Sequence, residues 1–593
     1  MSRQGKKGRK RWIVLGIAAA AVILAALAFL IVQLAARSLV GEEMSSREDW
    51  GIETGSELLT DQQRSVGVYE AGCEASIPVI QMVPLEYEDE AFTYYDESVQ
   101  QRLAQTLLNA MERQSYPMEA PLAVLNPFGT GSNSLLLAFE TDQRRQIRYT
   151  IHVEDADIPD FTATANNGGR YTRLHCFQVI GLVPGEVNEV TLQAVGEQGN
   201  VQKTVSFTIE MPQNTSGYDT VLRHEDGESG EPLTEGLFYL TGVGDYYGYT
   251  FFFDNHGVMR YEMVLEGYHS DRFLFSEHGL YTCVGSRKVA LLNPLGQAVR
   301  VYDLGQYELH HDINWGPEGT ILALVTDTEQ ETVMDVVVEL DLETGAVTEL
   351  LDFSELMSGY HEMTRPITAT DPFFWQAGED DWLHLNSIEY REEDDSILVS
   401  SRETSTIVRV AEIHGEPELS ALIGDARFWA DTDLAAYSYR QSGDFVPQYG
   451  QHDVEYVFVD SLPEGQYYLR MYNNNYWGLS TRDGYDPEMD SSVGTIWTGQ
   501  PGISSYVTWY LVDEKAGTFS LAGQWAVPYS SVVSNAQALG DHYVVNSGVA
   551  LTYGEYDQAG RLIRSFRYEG MMNGYRAMKD SLEGYWFEGE REN

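Results

Sequence analysis

Cysteine is scarce in this chain: Cys73, Cys176 and Cys283 are the three among 593 residues. They form no CxxC pair and show no metal-ligand spacing, which excludes a cysteine-built metal site, and three cysteines cannot all pair within one chain. At most one disulfide forms, and none of the three is expected to be catalytic. Proline is also sparse, at 19, beside 54 glycines, 37 tyrosines and an aromatic content of 12%. That mixture excludes a disordered chain and fits a β-rich globular protein with many turns. Basic residues are few: 38 Lys and Arg face 90 Asp and Glu, for a formal net charge of −52. Such a surface repels nucleic acid and anionic lipid, so no nucleic-acid partner is expected. It reads as a solvated acidic coat, and it raises a problem, since an anionic substrate then needs a local positive pocket. The length exceeds one hydrophobic core, so two or three domains are expected.

The basic residues that do cluster lie at the N-terminus. Residues 1–11 carry Arg3, Lys6, Lys7, Arg9, Lys10 and Arg11 without an acid, and 12–36 is an uncharged apolar run in which Gln33 is the one clearly polar residue. About 25 residues at about 1.5 Å each span a hydrocarbon core of about 30 Å with some tilt. The positive-inside bias puts the tail in the cytoplasm and everything after Arg37 outside. A cleaved signal peptide, cut at Ala26-Leu-Ala28, is the competing reading; the run is longer than the usual signal core of about 7–15 residues. The expectation is a signal-anchored, single-pass cell-membrane protein whose C-terminal part is extracellular.

Residues 37–119 form a polar, acidic approach segment with one helix over 97–114, where Val99, Leu103, Leu107 and Ala110 fall on one face. That helix packs on the body or mediates a homodimer contact; packing is the expectation. Residues 120–214 show short alternating strands, 134–139, 146–152, 190–195 and 203–209, joined by turns such as Asn126-Pro-Phe-Gly-Thr130. This reads as a small Ig-like β-sandwich.

From 215 to 593 the chain repeats. A turn recurs as Phe253-Asp-Asn-His-Gly257, Leu292-Asn-Pro-Leu-Gly296, Leu340-Asp-Leu-Glu-Thr-Gly345, Val512-Asp-Glu-Lys-Ala-Gly517 and Tyr556-Asp-Gln-Ala-Gly560, with Val410-Ala-Glu-Ile-His-Gly415 as a degenerate copy. Asp or Asn starts the turn and Gly supplies a positive φ. Apolar strands precede each copy, at 236–241, 278–283, 320–325, 396–401, 466–471 and 542–547. The fold class predicted is all-β: a six-bladed β-propeller behind the sandwich and the N-terminal transmembrane helix.

Three histidines share one place in successive repeats: His311, His384 and His452. Residues in register around an axis point toward it, so these side chains are expected to meet at one mouth of the channel. Ser534, with Ser530 nearby, occupies a comparable lead-in to blade six. Arg402 ends the blade-four strand, and Asn386 lies two residues after His384. His269 is a looser candidate in blade two. A lone histidine in a turn is usually a hydrogen-bonded structural residue and a lone arginine a surface ion pair; matched register argues for a site.

The segment Trp382-Leu-His-Leu-Asn-Ser-Ile-Glu-Tyr390 with Asp394-Asp-Ser-Ile-Leu-Val-Ser-Ser-Arg402 resembles the signature of the bacterial, nucleotide-donor-independent aryl-sulfate sulfotransferases. His311-Asp-Ile-Asn-Trp-Gly-Pro-Glu-Gly319 resembles their earlier histidine segment, Gln451-His452 their nucleophile segment, and Asn126-Pro-Phe-Gly-Thr130 the opening of their β-sandwich. The resemblance spans residues 120–593. It implies sulfuryl transfer from a phenolic sulfate ester to an acceptor phenol by a ping-pong route through a sulfohistidine, without cofactor or metal. It further implies that His452 is the nucleophile, that His311, His384 and Arg402 hold the sulfuryl oxygens, and that Asn386 assists. Ser530 and Ser534 are loosely placed substrate-binding hydroxyls. His310 beside His311 leaves that match ambiguous by one residue, and Asp453 puts an acid beside the proposed nucleophile.

The chemistry is consistent with the residues. Sulfuryl transfer resembles phosphoryl transfer, with charge spread over equatorial oxygens that cationic and N–H donors stabilise. Neutral imidazole is a competent nucleophile. Two other readings stay open: a non-catalytic extracellular propeller that binds or senses a ligand, and a metal-dependent hydrolase or lyase using the histidine cluster. Against the latter, there is no local His-x-x-x-His pair, and an arginine in the pocket repels a cation.

Overall fold

The computed structural model describes residues 66–85, 93–167 and 170–591. The expected anchor at 12–36 lies outside the described residues, and no described helix is long and apolar enough to cross a membrane.

The second strands of the propeller repeats are legible because they are largely apolar and buried. Leu237–Val243, Gly279–Gly285 and Ser396–Ser401 are buried at every position, each with strands on both sides in its sheet. Fourth strands such as Thr518–Val527 are less buried, with exposed positions alternating in part. Six such sheets of four or five strands form the six blades. The recurring turn joins the third and fourth strands of each blade. In the first, Asp254 Oδ1 accepts from the amides of His256 and Val258 while Gly257 takes φ 76°. Asn293 and Asp557 repeat the pattern with Gly296 and Gly560. In the degenerate copy Gly415 does not take the positive φ; Glu412 carries it, at 55°.

Both chain ends close the ring. Gly574–Asp580 supplies the innermost strand of blade one, pairing with Leu237–Val243, and Arg223–Asp226 adds a fifth, outer strand to blade six. A fully buried Lys579–Glu555 pair at 2.9 Å, with Asn255 Oδ1 accepting from Lys579 Nζ at 2.7 Å, ties blade one to blade six.

The sandwich starts earlier than residue 120. Val66–Glu70 and Val79–Pro84, assigned from sequence to the approach segment, are strands of its sheet, the second running parallel to Leu122–Leu125. They were missed because the first is mostly exposed and the second only partly buried, so neither carries a strong apolar pattern. The expected strands 134–139 and 146–152 are one continuous strand, Leu135–His152. The helix spans Glu97–Glu112 with Asp96 as its N-cap, and Val99, Leu103, Leu107 and Ala110 are buried. It covers the outer edge of blade two: Ala298 N donates to Gln100 Oε1 and Val301 N to Glu97 Oε1.

The sandwich rests on the outside of blades one and two. Buried Glu262 accepts from Ser132 Oγ and the Thr215 amide, Arg260 donates to Gly181 O and Pro159 O, and Thr130 Oγ1 donates to Gly296 O. These contacts involve outer strands and third-to-fourth-strand turns, so the opposite face of the ring is left to the loops that carry the histidines.

Candidate active site

The apolar strands that precede the recurring turns in sequence are second strands of their blades. The innermost ones are Tyr307–Trp315, Leu385–Arg391, His452–Val457 and Asn535–Leu539 in blades three to six. An innermost strand has a free edge whose amides need acceptors. One relay supplies them around the ring: Ile388 N donates to Asp312, Val454 N to Ser387, Ala536 N to Asp453 and Ala577 N to Asn535. This relay defines the true register. The residues preceding each acceptor, His311, Asn386, His452 and Ser534, occupy equivalent positions, and Tyr575 is their counterpart in blade one. His384 is therefore two residues out of register with His311 and His452, a correction to the sequence alignment of the repeats. It still reaches them: the ring centroids of His311 and His384 lie 4.5 Å apart. The offset is absorbed by register shifts within 309–313, 385–387 and 452–455 and by positive φ at His311 (63°), His384 (51°) and Asp453 (54°). Bulges and left-handed residues of this kind re-aim side chains next to functional sites.

His311, not His310, faces its neighbours in the cluster. His311 stacks edge-on against His384 and lies 5.6 Å from Tyr575, whose hydroxyl donates to His311 O. His310 is buried beside it, with the two Nδ1 atoms 3.0 Å apart. His384 Nδ1 is 2.5 Å from Asp381 Oδ2, a buried carboxylate that also accepts from Gln376 Nε2 and Arg402 Nη2. The Arg402 guanidinium lies 3.7 Å over the Phe373 ring, between Asp381 at 3.4 Å and Glu403 at 3.8 Å, and its Nε has no partner. Asn386 Nδ2 donates to Gln451 O and so fixes the residue before His452.

His452 is 2% exposed, and its Nδ1 lies 3.0 Å from Gly450 O and 2.9 Å from Asn474 Oδ1. The amide nitrogen of Asn474 is committed to Ser530 O and Val533 O, which orients its oxygen toward the imidazole. With two acceptors facing it, Nδ1 carries the proton and Nε2 keeps a lone pair. Ser530 and Ser534, the predicted substrate hydroxyls, are instead turned into their own loop. Ser534 Oγ donates to Ser530 Oγ and accepts from Gly548 N, and Ser530 Oγ accepts from Val549 N. Ser530 reaches His452 through its backbone carbonyl, which accepts from Asn474. His269 sits beside Tyr575, at 5.1 Å between rings, and 2.9 Å from Asp271.

A model of the arylsulfotransferase family matches residues 224–577, and a model of the family's Ig-like domain matches 122–212. The chain belongs to the arylsulfotransferase family. It is accordingly an aryl-sulfate sulfotransferase by family, with the expected Ig-like domain ahead of the propeller. No curated protein matches it closely enough to stand as a relative. Among solved structures it is similar to 6-phosphogluconolactonase candidates from Bacteroides uniformis ATCC 8492 and Bacteroides fragilis NCTC 9343. Each is 11% identical over 74% of this chain, covering 100% and 98% of theirs, with TM-scores of 0.33 and 0.32. An auxiliary nutrient binding protein from Bacteroides thetaiotaomicron VPI-5482 is likewise 11% identical over 74% of this chain and 95% of its own, with a TM-score of 0.28. These likenesses are too distant to bear on activity.

In this arylsulfotransferase, burial drives all three imidazoles toward the neutral form. It holds His452 down to about 3, with Arg402 adding to the effect, and it holds His311 and His384 well below the usual histidine range. Asp453, the acid beside His452, is engaged by the next blade through Ala536 N. Asp453 and Asp312 lie with Arg272 and Arg576 in a buried layer next to the histidines. Asp312 accepts from both arginines, at 3.0 and 2.8 Å, and these hold its carboxyl below the ordinary range against the opposing effect of burial. Among the described residues no group of three or more His, Cys, Asp or Glu is arranged to hold a metal ion.

The ionic layer gives a stability prediction. Asp312→Ala leaves two buried guanidinium groups without their shared carboxylate and removes the acceptor for Ile388 N. A loss of about 3–5 kcal/mol is expected in denaturant unfolding of the full chain; a change under about 1 kcal/mol would show the layer to be energetically neutral.

Proposed function

We propose that the protein transfers a sulfuryl group from a phenolic sulfate ester to an acceptor phenol in two displacements, with His452 Nε2 as the nucleophile. The observation that carries this reading is the bonding of His452 Nδ1 to Gly450 O and Asn474 Oδ1, which leaves a lone pair on Nε2 of a buried, neutral imidazole. In the first step an N–S bond forms at Nε2 while the S–O bond to the donor breaks, and the phenolate leaves. In the second the acceptor oxygen attacks the same sulfur as the N–S bond breaks, and the proton it gives up to solvent balances the one the released phenolate takes up. The developing charge lies on the sulfuryl oxygens, where Arg402, with its unpartnered Nε, and His311 are the available donors; neutral His384 gives its Nδ1 proton to Asp381 and packs against His311. Asp381 orients His384 through Nδ1, and Asn386 orients His452 through Gln451. Phe373 and Tyr476, buried in one apolar cluster with Trp497 and Tyr529 packed on it, form an aromatic wall suited to an aryl group.

The test is incubation with 4-nitrophenyl sulfate, with and without phenol. Nitrophenol release that depends on phenol is expected, together with a peptide containing His452 heavier by one sulfuryl group in donor-treated protein. Steady release to water without acceptor dependence would make the protein a sulfatase and sink this mechanism.

A further inference from the structure

We propose that Glu403 takes up a proton when the sulfate ester binds, so that the anion enters the site together with a proton on this carboxyl. The inference rests on the sulfuryl-transfer reading of the same site and addresses how a buried pocket in a protein of net charge −52 accepts an anion.

The argument is one of charge. Arg402 is the cation of the site, and it is flanked by two carboxylates with fully buried side chains, Asp381 at 3.4 Å and Glu403 at 3.8 Å. With the three histidines neutral, one positive charge faces two negative ones. The neighbouring layer does not correct this balance, because Arg272 and Arg576 are matched by Asp312 and Asp453. A monoanionic ester brought into this pocket adds a third negative charge beside one guanidinium. Uncompensated buried charge of that kind is resolved by protonation.

The bonding selects the carboxyl that takes the proton. Burial pushes both carboxyls up and leaves each with one oxygen without a partner, Asp381 Oδ1 and Glu403 Oε2; but Asp381 Oδ2 accepts from Arg402 Nη2 as well as from His384 Nδ1 and Gln376 Nε2, whereas Arg402 meets Glu403 as a charge at 3.8 Å. Glu403 divides its work between its two oxygens. Oε1 accepts from the amides of Ser480 and Thr481 and from Thr481 Oγ1, which pins the 474–504 loop to the site. Oε2 is buried with no hydrogen-bond partner, and Arg402 is its counter-charge. Once Arg402 turns to sulfuryl oxygens, Oε2 has none. The other ionisable groups facing Glu403 are Asp381, Tyr360 and Tyr476, and Glu379 faces Arg402; none supplies a positive charge. Burial lifts the Glu403 carboxyl to about 7, against the pull of Arg402.

The sign follows from linkage. A bound anion raises the Glu403 pKa further, so binding draws a proton from solvent above about pH 7, and below it the carboxyl is already protonated. Donor kcat/KM is therefore expected to be level below that point and to fall about tenfold per pH unit above it. In Glu403→Gln, which keeps the Oε1 acceptor for Ser480 and Thr481, that alkaline fall disappears. A Glu403→Gln enzyme with the wild-type slope would overturn the proposal while leaving sulfuryl transfer intact; absence of any turnover by the wild-type enzyme would remove the underlying reading instead. Calorimetry on His452→Ala, with 4-nitrophenyl sulfate at about pH 8 in two buffers of different ionisation enthalpy, gives a second measure without altering Glu403. About one proton taken up per ester bound is expected, and none taken up refutes the idea.

Discussion

His452→Ala is expected to abolish sulfuryl transfer, with kcat falling by about 10⁴-fold or more, the range in which loss of a covalent nucleophile falls. Donor-treated mutant protein should carry no sulfuryl adduct. The size of the effect follows from the two-step path: without Nε2 there is no intermediate, and the aryl ester must be attacked directly by an acceptor phenol that the site does not activate. The same geometry predicts the acid limb of the wild-type profile. The neutral imidazole is the reactive form, and burial holds its pKa down at about 3. Activity should therefore persist as pH falls through the ordinary histidine range, and be lost through His452 only near the depressed value. A mutant that retains the adduct would assign the nucleophile elsewhere, and a wild-type rate that halves near pH 6.5 would mean that the imidazole is not desolvated as its surroundings indicate.

The parts of this architecture that were legible in sequence are those set by local chemistry. Strands held between two others are largely buried, as Ser396–Ser401 is at every position around its Ile-Leu-Val centre, and the Asp-to-Gly turns announce themselves because Asp254, Asn293 and Asp557 cap their own loops. The polar edge strands Val66–Glu70 and Val79–Pro84 gave no such pattern. The histidines could be found, but their register could not. The alignment set His384 against His311 and His452, whereas the amide relay puts Asn386 there, because three bulges insert residues that repeat spacing does not reveal. Asp381, lying three residues before His384, was within reach of local reading, and the strong His384–Arg402 signature drew attention past it. Asn474 carries no local signal: its role depends on His452, 22 positions away, and on Ser530 and Val533. Tyr575 and Arg576 come from the strand that closes the ring, and no repeat signal marks that strand. Contacts that join different blades are properties of closure, and closure is not written in any one repeat.

Arg402→Ala is expected to lower donor kcat/KM by about 10³-fold or more, within the range seen when an arginine that neutralises a transferring group is removed. This substitution also strands Asp381 and Glu403 as two buried carboxylates without their cation, so part of the loss will be structural, and the unfolding midpoint should drop with it. Arg402→Lys separates the two contributions. Lysine keeps a positive charge near both carboxylates, so stability is largely retained, but it cannot present a planar fork to two sulfuryl oxygens or lie flat on Phe373 as the guanidinium does at 3.7 Å. A lysine variant that folds like the wild type and still loses about 10²-fold in donor kcat/KM ties the rate to the shape of the cation. If lysine restores the full rate, charge alone suffices, and the placement of Arg402 over Phe373 serves packing. If even alanine turns over normally, the sulfuryl group is held by something other than this arginine, and the electrostatic basis of the mechanism fails with it.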